Sequence, residues 1–135
     1  MLVYGTCNPA GEGEDHAGVY LKKTDIARLV ETKALLQLPV KIEHVGDPVG
    51  RIVDAWQHAD RLDCVFRIDN NSKASVFAQE FVKDQRCPEL SLSYQVTMQH
   101  SSDGKLSGEG KELIEVSIVR KGARHDCKIR GYQRR

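Results

Sequence analysis

The sequence has no long apolar run, no excess of charge of either sign and few aromatic residues. No stretch approaches the ~18 apolar residues that a membrane-spanning helix needs, and the first residues lack the basic lead and apolar core of a secretory signal. Twenty basic residues nearly balance nineteen acidic ones, so the net charge of +1 gives no reason to expect nucleic acid or a membrane as partner. These absences predict an intracellular protein that does not bind a membrane.

Cysteine is present, but not in a metal-binding pattern. None of the four cysteines, Cys7, Cys64, Cys87 and Cys127, belongs to a CxxC pair. His125 lies close to Cys127, but two such neighbours lack the second pair of ligands that a zinc site requires. Without an export signal, the thiols are expected to be reduced. The sequence therefore predicts no metal and no cofactor.

Length and patterning predict one small, mainly β domain. The chain has 135 residues, 40% of them hydrophobic, which is enough to bury a core. Strand patterns outnumber helical ones and recur about ten residues apart, which is typical of antiparallel pairing in a meander or barrel. We predict a single domain over residues 1–135, mainly β (α+β), built as a small β-barrel with a few surrounding helices. Its C-terminal end, about residues 120–135, is basic.

Alternating apolar residues predict the strands, and helical spacing predicts two helices. Strands are expected at Leu2–Gly5, Pro39–His44, Val49–Trp56, Arg61–Asp69, Pro88–Val96, Glu112–Val119 and Cys127–Tyr132. Helices are expected over Tyr20–Gln37, with Thr24 as N-cap, and over Lys73–Lys83, with Ser72 in its cap and an aromatic stripe (Val76, Phe77, Phe81) interpreted as core. Loops or turns are expected at Cys7–Gly18, Val45–Pro48 and His100–Gly110.

The strand pattern is strictest from Pro88 to Val96. Its apolar residues fall on one face, while Ser91 and Ser93 fall on the other and present two hydroxyls two residues apart. A serine hydroxyl becomes a nucleophile only beside a base, and the base needs a third group to orient it. Alternation alone leaves Ser91 and Ser93 interchangeable.

Two residues are candidates for the base and the orienting acid. His44 ends an apolar strand just before a turn, and Glu115 is an acid within another apolar strand. Each has a simpler interpretation, because His44 suits a structural or surface histidine and Glu115 suits a solvent-facing position. Gly122-Ala123-Arg124 offers backbone N–H groups and a cation for an oxyanion hole, although such turns are common.

Short motifs in this order resemble those of the herpesvirus capsid maturation proteases (assemblins). Leu38–His44, followed by Val49–Ile52, resembles the segment that holds their first catalytic histidine. Leu90-Ser91-Leu92-Ser93 resembles their nucleophile motif, in which the first serine attacks. The resemblance implies that Ser91 is the nucleophile and Ser93 a supporting residue.

The tailed-phage prohead proteases, which share that fold, supply a further motif. Their pattern of an apolar residue, Glu-Val-Ser and further apolar residues resembles Ile114–Val119. This implies a Ser-His-Glu triad, with Glu115 where the assemblins have a second histidine. Gly122-Ala123-Arg124 falls in register with the Gly-Arg-Arg oxyanion turn of the assemblins. The backbone N–H of Ala123 would serve in place of the first Arg of that turn. The chain lacks room for the C-terminal helices through which assemblins dimerise, so no oligomeric state is predicted.

The resemblance implies a herpesvirus-protease-like fold and a serine endopeptidase of viral capsid maturation. Such an enzyme would act inside the virion procapsid, cleaving the capsid scaffold protein and itself beside the major capsid protein. Two alternatives stay open: a catalytically degenerate scaffold-binding module, and a small barrel that binds nucleic acid through its basic end. The second is less favoured, because the aromatic residues on which bases stack make up only 6% of the chain. The enzyme is expected to hold Nε2 of His44 near Oγ of Ser91, with a carboxylate on the other ring nitrogen.

Overall fold

The computed structural model describes residues 1–9, 21, 23–59, 61–96, 99–100, 106–107, 111–122, 124 and 126–134. Within these ranges the chain forms nine strands and two helices, and neither helix is long and apolar enough to cross a membrane. In chain order the elements are β1 (Leu2–Asn8), α1 (Lys23–Glu31), β2 (Pro39–Ile42), β3 (Val45–His58), β4 (Arg61–Ile68), α2 (Lys73–Lys83), β5 (Glu89–Val96), β6 (Gln99–His100), β7 (Leu106–Ser107), β8 (Lys111–Val119) and β9 (Ile129–Gln133).

Seven strands form one curled sheet in the order β5-β8-β2-β3-β4-β1-β9, and β6 pairs with β7 separately. The neighbours in the large sheet are antiparallel, except that β2 and β8 run parallel. Its two edges meet at one end, where the N–H of Leu90 donates to the carbonyl of Cys127 (3.0 Å) and the N–H of Ile129 to that of Pro88 (2.8 Å). This barrel-like sheet with two helices confirms the predicted fold class.

One continuous hydrophobic core fixes the strands that carry the candidate site. Ile52 on β3, Phe66 on β4, Leu92 on β5 and Ile118 on β8 belong to it, and each is at most 2% exposed. Burying a side chain of this size stabilises the fold by about 1.5–3 kcal/mol. The polar residues that alternate with Leu92 and Ile118 along β5 and β8 are therefore held on rigid strands.

Helix α1 is shorter than its apolar periodicity predicts. A helix is present within the expected range Tyr20–Gln37, but it ends at Glu31 instead of Gln37, and the predicted N-cap is wrong because Thr24 lies inside α1. Lys33 adopts a left-handed backbone (φ 56°); its N–H donates to the carbonyl of Val30 (3.1 Å), and the next N–H donates to that of Leu29 (3.0 Å). These two hydrogen bonds form a Schellman motif, which ends a helix. Because lysine replaces the usual glycine there, the sequence does not mark the end.

Helix α2 has the predicted bounds, but the predicted core stripe is correct only for Phe81, and its other members are exposed. Ser72 and Ser75 form a reciprocal capping box, with N–H to Oγ distances of 3.0 and 3.1 Å. The helix buries the small residue Ala78 together with Ser75 and Val82, whereas Phe77 is 60% exposed. Small side chains let the helix lie close to its neighbours; of the stripe, Val76 (49% exposed) and Phe77 face outward, and Phe81 is partly buried against the core.

The end strands also differ slightly from the prediction. Strand β1 continues through Cys7 to Asn8, where a loop was expected to begin, and β9 begins at Ile129 rather than Cys127. The four cysteines are free and buried. Burial is the main cause that raises the pKa of the Cys127 thiol to about 12. Such a thiol is protonated and unreactive at neutral pH, which suits a core residue.

Gly50 lies where two strands approach closely, as its position within an apolar strand predicts. It pairs with Val40 on one side and Ile68 on the other. A Cβ at Gly50 would lie 1.8 Å from the carbonyl oxygen of Arg67, which belongs to the backbone of β4. Since backbone atoms cannot move aside without breaking the ladder, only glycine fits.

Replacing Gly50 with alanine is therefore expected to destabilise the protein by more than about 2 kcal/mol. For a chain of this size, the melting temperature falls by roughly 8 °C or more. The matched control is Gly131→Ala on β9, where a Cβ meets nothing within 4 Å. Thermal unfolding followed by circular dichroism compares the two variants. Equal melting temperatures would contradict the close approach at Gly50.

Candidate active site

His44 lies at the second position of a two-residue turn between β2 and β3. Ile42 pairs with Val45, and Glu43 and His44 have φ angles of 51° and 62°. Two positive φ angles are what a type I′ turn requires. The predicted turn at Val45–Pro48 is therefore wrong, because this segment belongs to β3 and the chain reverses two residues earlier. Left-handed backbone costs a non-glycine residue roughly 1–2 kcal/mol, so other contacts must hold this turn.

Strand β8 and the residue after it supply those contacts. The N–H of Glu43 donates to the carbonyl of Ile118 (3.0 Å), and the N–H of His44 donates to Oγ of Ser117 (3.0 Å). The N–H of Arg120 donates to Oε1 of Glu43 at 2.9 Å. The turn is thus fixed against β8, the parallel neighbour of β2.

Glu115 on β8 is buried and accepts three hydrogen bonds. It is 5% exposed, so the alternative of a solvent-facing acid is excluded. Its Oε1 is paired with Nδ1 of His44 and accepts from Oγ of Ser93 (2.9 Å), and its Oε2 accepts from Oγ of Ser117 (2.6 Å). A carboxylate on Nδ1 favours the proton on that nitrogen and leaves Nε2 as the acceptor. The side chain of His44 is 41% exposed, so its ring can meet a substrate.

The two serines of β5 lie opposite two residues of this cluster. Ser91 pairs with Ser117 and Ser93 with Glu115 across the β5–β8 ladder. Oγ of Ser93 lies 3.2 Å from Nδ1 of His44. Ser91 is 6% exposed, and no hydrogen bond joins it to His44, although the structure describes both residues. The expected carboxylate on one ring nitrogen is thus present, whereas no hydrogen bond joins Ser91 to the other nitrogen.

The turn after β8 contacts the start of β5, the strand that carries Ser91 and Ser93, through Gly122. Its N–H, a predicted oxyanion donor, donates instead to Oε1 of Glu89 at 2.8 Å. A Cβ at Gly122 would lie 2.8 Å from the carbonyl oxygen of Leu90, so only glycine permits this approach. Ala123, the other predicted backbone donor, lies outside the described residues.

Arg124 is buried against β5. It is 7% exposed, its Nη1 donates to the carbonyl of Leu92 (3.1 Å), and its guanidinium carbon lies 4.9 Å from the centroid of the Tyr94 ring. Leu92 lies between the two serines, so Arg124 fixes the backbone that carries them. A guanidinium stacked on an aromatic ring is held firmly, because the cation is attracted to the face of the ring.

Two contact residues of the site were not predicted as functional. Ser117 enters the sequence-based predictions only as part of the motif Ile114–Val119, and Glu89 only as part of the strand Pro88–Val96. The alternation of β8 places Ser117 on the same face as Glu115, two residues away, which is the signal that could have identified it. Nothing in the sequence predicts the contact between Glu89 and Gly122, which joins residues of distant segments.

No protein-family model and no curated protein matches the chain. Solved structures do match. The protease of Kaposi's sarcoma-associated herpesvirus, in complex with a hexapeptide phosphonate inhibitor, gives a TM-score of 0.59 at 18% identity over 98% of this chain and 65% of that one. The fold is that of the herpesvirus proteases.

Two further complexes of that herpesvirus protease agree. The complex with an allosteric inhibitor gives a TM-score of 0.54 at 19% identity, over 95% of this chain and 74% of that one. The complex with a dimer disruptor gives a TM-score of 0.51 at 20% identity, over 98% of this chain and 72% of that one. This chain spans about two thirds of the length of the first of these proteases. At such identities the likeness establishes the herpesvirus protease fold alone.

Proposed function

We propose that this chain is a serine endopeptidase of viral capsid maturation with a Ser91-His44-Glu115 triad. One observation carries the proposal: the buried Glu115 carboxylate binds Nδ1 of His44, beside the strand that bears Ser91. The herpesvirus protease fold supports it. A histidine oriented through Nδ1 can exchange protons through Nε2, which a nucleophilic serine requires.

The proposed reaction follows the acyl-transfer scheme. Oγ of Ser91 attacks the scissile carbonyl while Nε2 of His44 takes its proton, and His44 then gives that proton to the leaving amine. Glu115 stabilises the imidazolium that forms. The oxyanion is bound by the N–H of Ala123 and by Arg124, directly or through water, each donor contributing roughly 3 kcal/mol. Water attacks the acyl-enzyme in the second half of the reaction, with His44 again as base, and Ser91 is regenerated.

The proposed substrate is the capsid scaffold protein, cleaved inside the procapsid beside the major capsid protein, together with the chain itself. This part rests on the motifs at Leu90–Ser93 and Ile114–Val119, which resemble those of capsid maturation proteases. We also propose that residues 1–135 form a single protease domain. One of the structures of similar fold holds a hexapeptide phosphonate inhibitor, so an electrophilic phosphonate peptide is a suitable first probe.

Two observations favour a second function, that of a scaffold-binding module without activity. Ser91 makes no hydrogen bond to His44 within the described residues, and the N–H of Gly122 is engaged by Glu89. In the proposed enzyme the first contact forms with substrate, because catalytic hydrogen bonds often tighten only in the Michaelis complex. The two functions therefore differ in reactivity and agree in scaffold binding.

Reaction with a fluorophosphonate probe, together with cleavage of a capsid scaffold protein, tests the enzyme function. We expect the folded chain to be labelled and to cleave the scaffold. His44→Ala is the control variant and is expected to lose both reactions, because His44 is the proposed base that takes the proton of Ser91. A wild-type chain that binds the scaffold but shows neither reaction is the inactive module.

A further inference from the structure

Ser117 connects His44 and Glu115, two residues of the proposed triad whose relative position must be fixed. It is 0% exposed; its Oγ accepts from the N–H of His44 (3.0 Å) and lies 2.6 Å from Oε2 of Glu115. A backbone N–H can only donate, so the hydroxyl accepts there and its single proton is directed to the carboxylate. Both contacts therefore have a fixed direction. We infer that Ser117 is a positioning residue for catalysis, an inference that rests on the proposed function.

The backbone of His44 is the first group that Ser117 holds. Both residues of the turn are left-handed, and the N–H of each points to β8 rather than across the hairpin. Glu43 is held there by a backbone carbonyl, which any residue at position 118 supplies. His44 is held by a side chain instead. Its N–H loses that acceptor if residue 117 has no hydroxyl, and the turn then loses one of its bonds to β8.

The carboxylate of Glu115 is the second group. One oxygen faces Nδ1 of His44 and Ser93, and the other faces Ser117. A carboxylate held at both oxygens cannot rotate about its terminal bond, so its lone pairs stay aimed at the imidazole. Without Ser117, Oε2 becomes a buried acceptor with one donor fewer, and rotation satisfies it at the expense of His44. A misplacement of about 1 Å in such a group lowers a rate by about 10²-fold.

Ser117→Ala removes the hydroxyl and keeps the Cβ atom. We expect kcat for a scaffold peptide to fall by about 10²-fold with KM within about threefold, because geometry and not substrate binding changes. Ser117→Thr retains the hydroxyl and is expected to recover most of kcat. Ser75→Ala in α2 is the matched control, since Ser75 is also 0% exposed and hydrogen-bonded. It is expected to lower the melting temperature and leave kcat unchanged.

A proton NMR measurement makes the test independent of activity. A histidine Nδ1 proton held by a carboxylate gives a downfield resonance, which exchange with solvent broadens when the pair loosens. We expect this resonance in the wild type and in Ser75→Ala, its loss in Ser117→Ala, and its return in Ser117→Thr. If the wild-type chain cleaves nothing, the proposed function fails while this comparison still decides the role of Ser117.

Two outcomes overturn the inference. One is a Ser117→Ala variant with wild-type kcat and an unchanged resonance. The other is a loss of kcat that Ser75→Ala shares at equal loss of stability, which makes Ser117 a structural residue only. Should Ser117→Ala fail to fold, Ser117→Cys keeps a side chain of similar shape with a weaker donor. A folded Ser117→Cys with full kcat and a sharp resonance overturns the inference as well.

Discussion

Replacing Ser91 with alanine is expected to lower kcat for scaffold cleavage by about 10⁶-fold, the loss typical of removing a serine nucleophile. The reason lies in the geometry around His44. Ser93, the neighbouring serine, donates to Glu115 and lies 3.2 Å from Nδ1 of His44. It is therefore on the carboxylate side of the imidazole, away from the Nε2 atom that takes a proton. Ser93 cannot replace the missing nucleophile.

The matched control is Ser93→Ala, two residues along the same strand. Its hydroxyl is one of three donors to Glu115, so we expect a loss of about tenfold in kcat, with Ser117 and His44 still bound to the carboxylate. Steady-state cleavage of a fluorogenic scaffold peptide measures both variants, and thermal unfolding shows that both are folded. The reverse order of losses would assign the attack to Ser93 and contradict the family resemblance.

Glu115→Gln is expected to lower kcat by about 10⁴-fold, the loss typical of an acid-to-amide change in a Ser-His-Asp triad. Three donors face the carboxylate: Nδ1 of His44, Ser93 and Ser117. An amide has one acceptor oxygen and an NH₂ group, which must then face a donor. Either His44 takes the wrong tautomer or a buried donor is left unsatisfied, which costs about 1–3 kcal/mol of stability.

Glu112→Gln is the control for this variant, since Glu112 lies on the same strand and is exposed. It carries the same change of charge without contact to the triad, and kcat is expected to stay within about twofold of wild type. Urea unfolding and peptide cleavage separate the loss of stability from the loss of rate. If kcat of Glu115→Gln stays within tenfold of the wild-type value, another residue orients His44.

Much of the fold follows from local signals in the sequence. Strict alternation predicts β5 and β8 within a residue or two, and the polar cap at Ser72 predicts the start of α2. The same alternation places Ser91 and Ser93 on the opposite face from Leu92, as expected for side chains that project alternately from a strand. Gly50 as a point of close approach follows from a glycine inside an apolar strand.

Other features depend on contacts that the sequence does not display. The turn at Glu43–His44 has two left-handed residues without an Asn-Gly signal, and it is held by β8, more than 70 residues away in the chain. The end of α1 depends on a left-handed Lys33, and the exposed face of α2 depends on which helix face packs against the sheet. Local propensity alone predicts a turn after His44, a longer α1 and a buried aromatic face on α2. The structure differs at these points because tertiary context overrides local propensity.

The candidate site divides in the same way. The resemblance supplied His44, Glu115 and Ser93, which the structure brings into contact. It also supplied Gly122, whose N–H binds a carboxylate that no motif includes. Register across β5 and β8 is what places these side chains, and register depends on packing and turn geometry rather than on any one strand.

The most direct test of the central claim is to map the residue that an electrophilic phosphonate modifies. The wild-type chain is reacted with a fluorophosphonate, digested, and analysed by tandem mass spectrometry across residues 87–96. A single adduct on Ser91 is the predicted result, absent from chain unfolded before labelling. An adduct on Ser93, or a folded chain that carries no adduct at either serine, would contradict the assignment of Ser91 as the nucleophile.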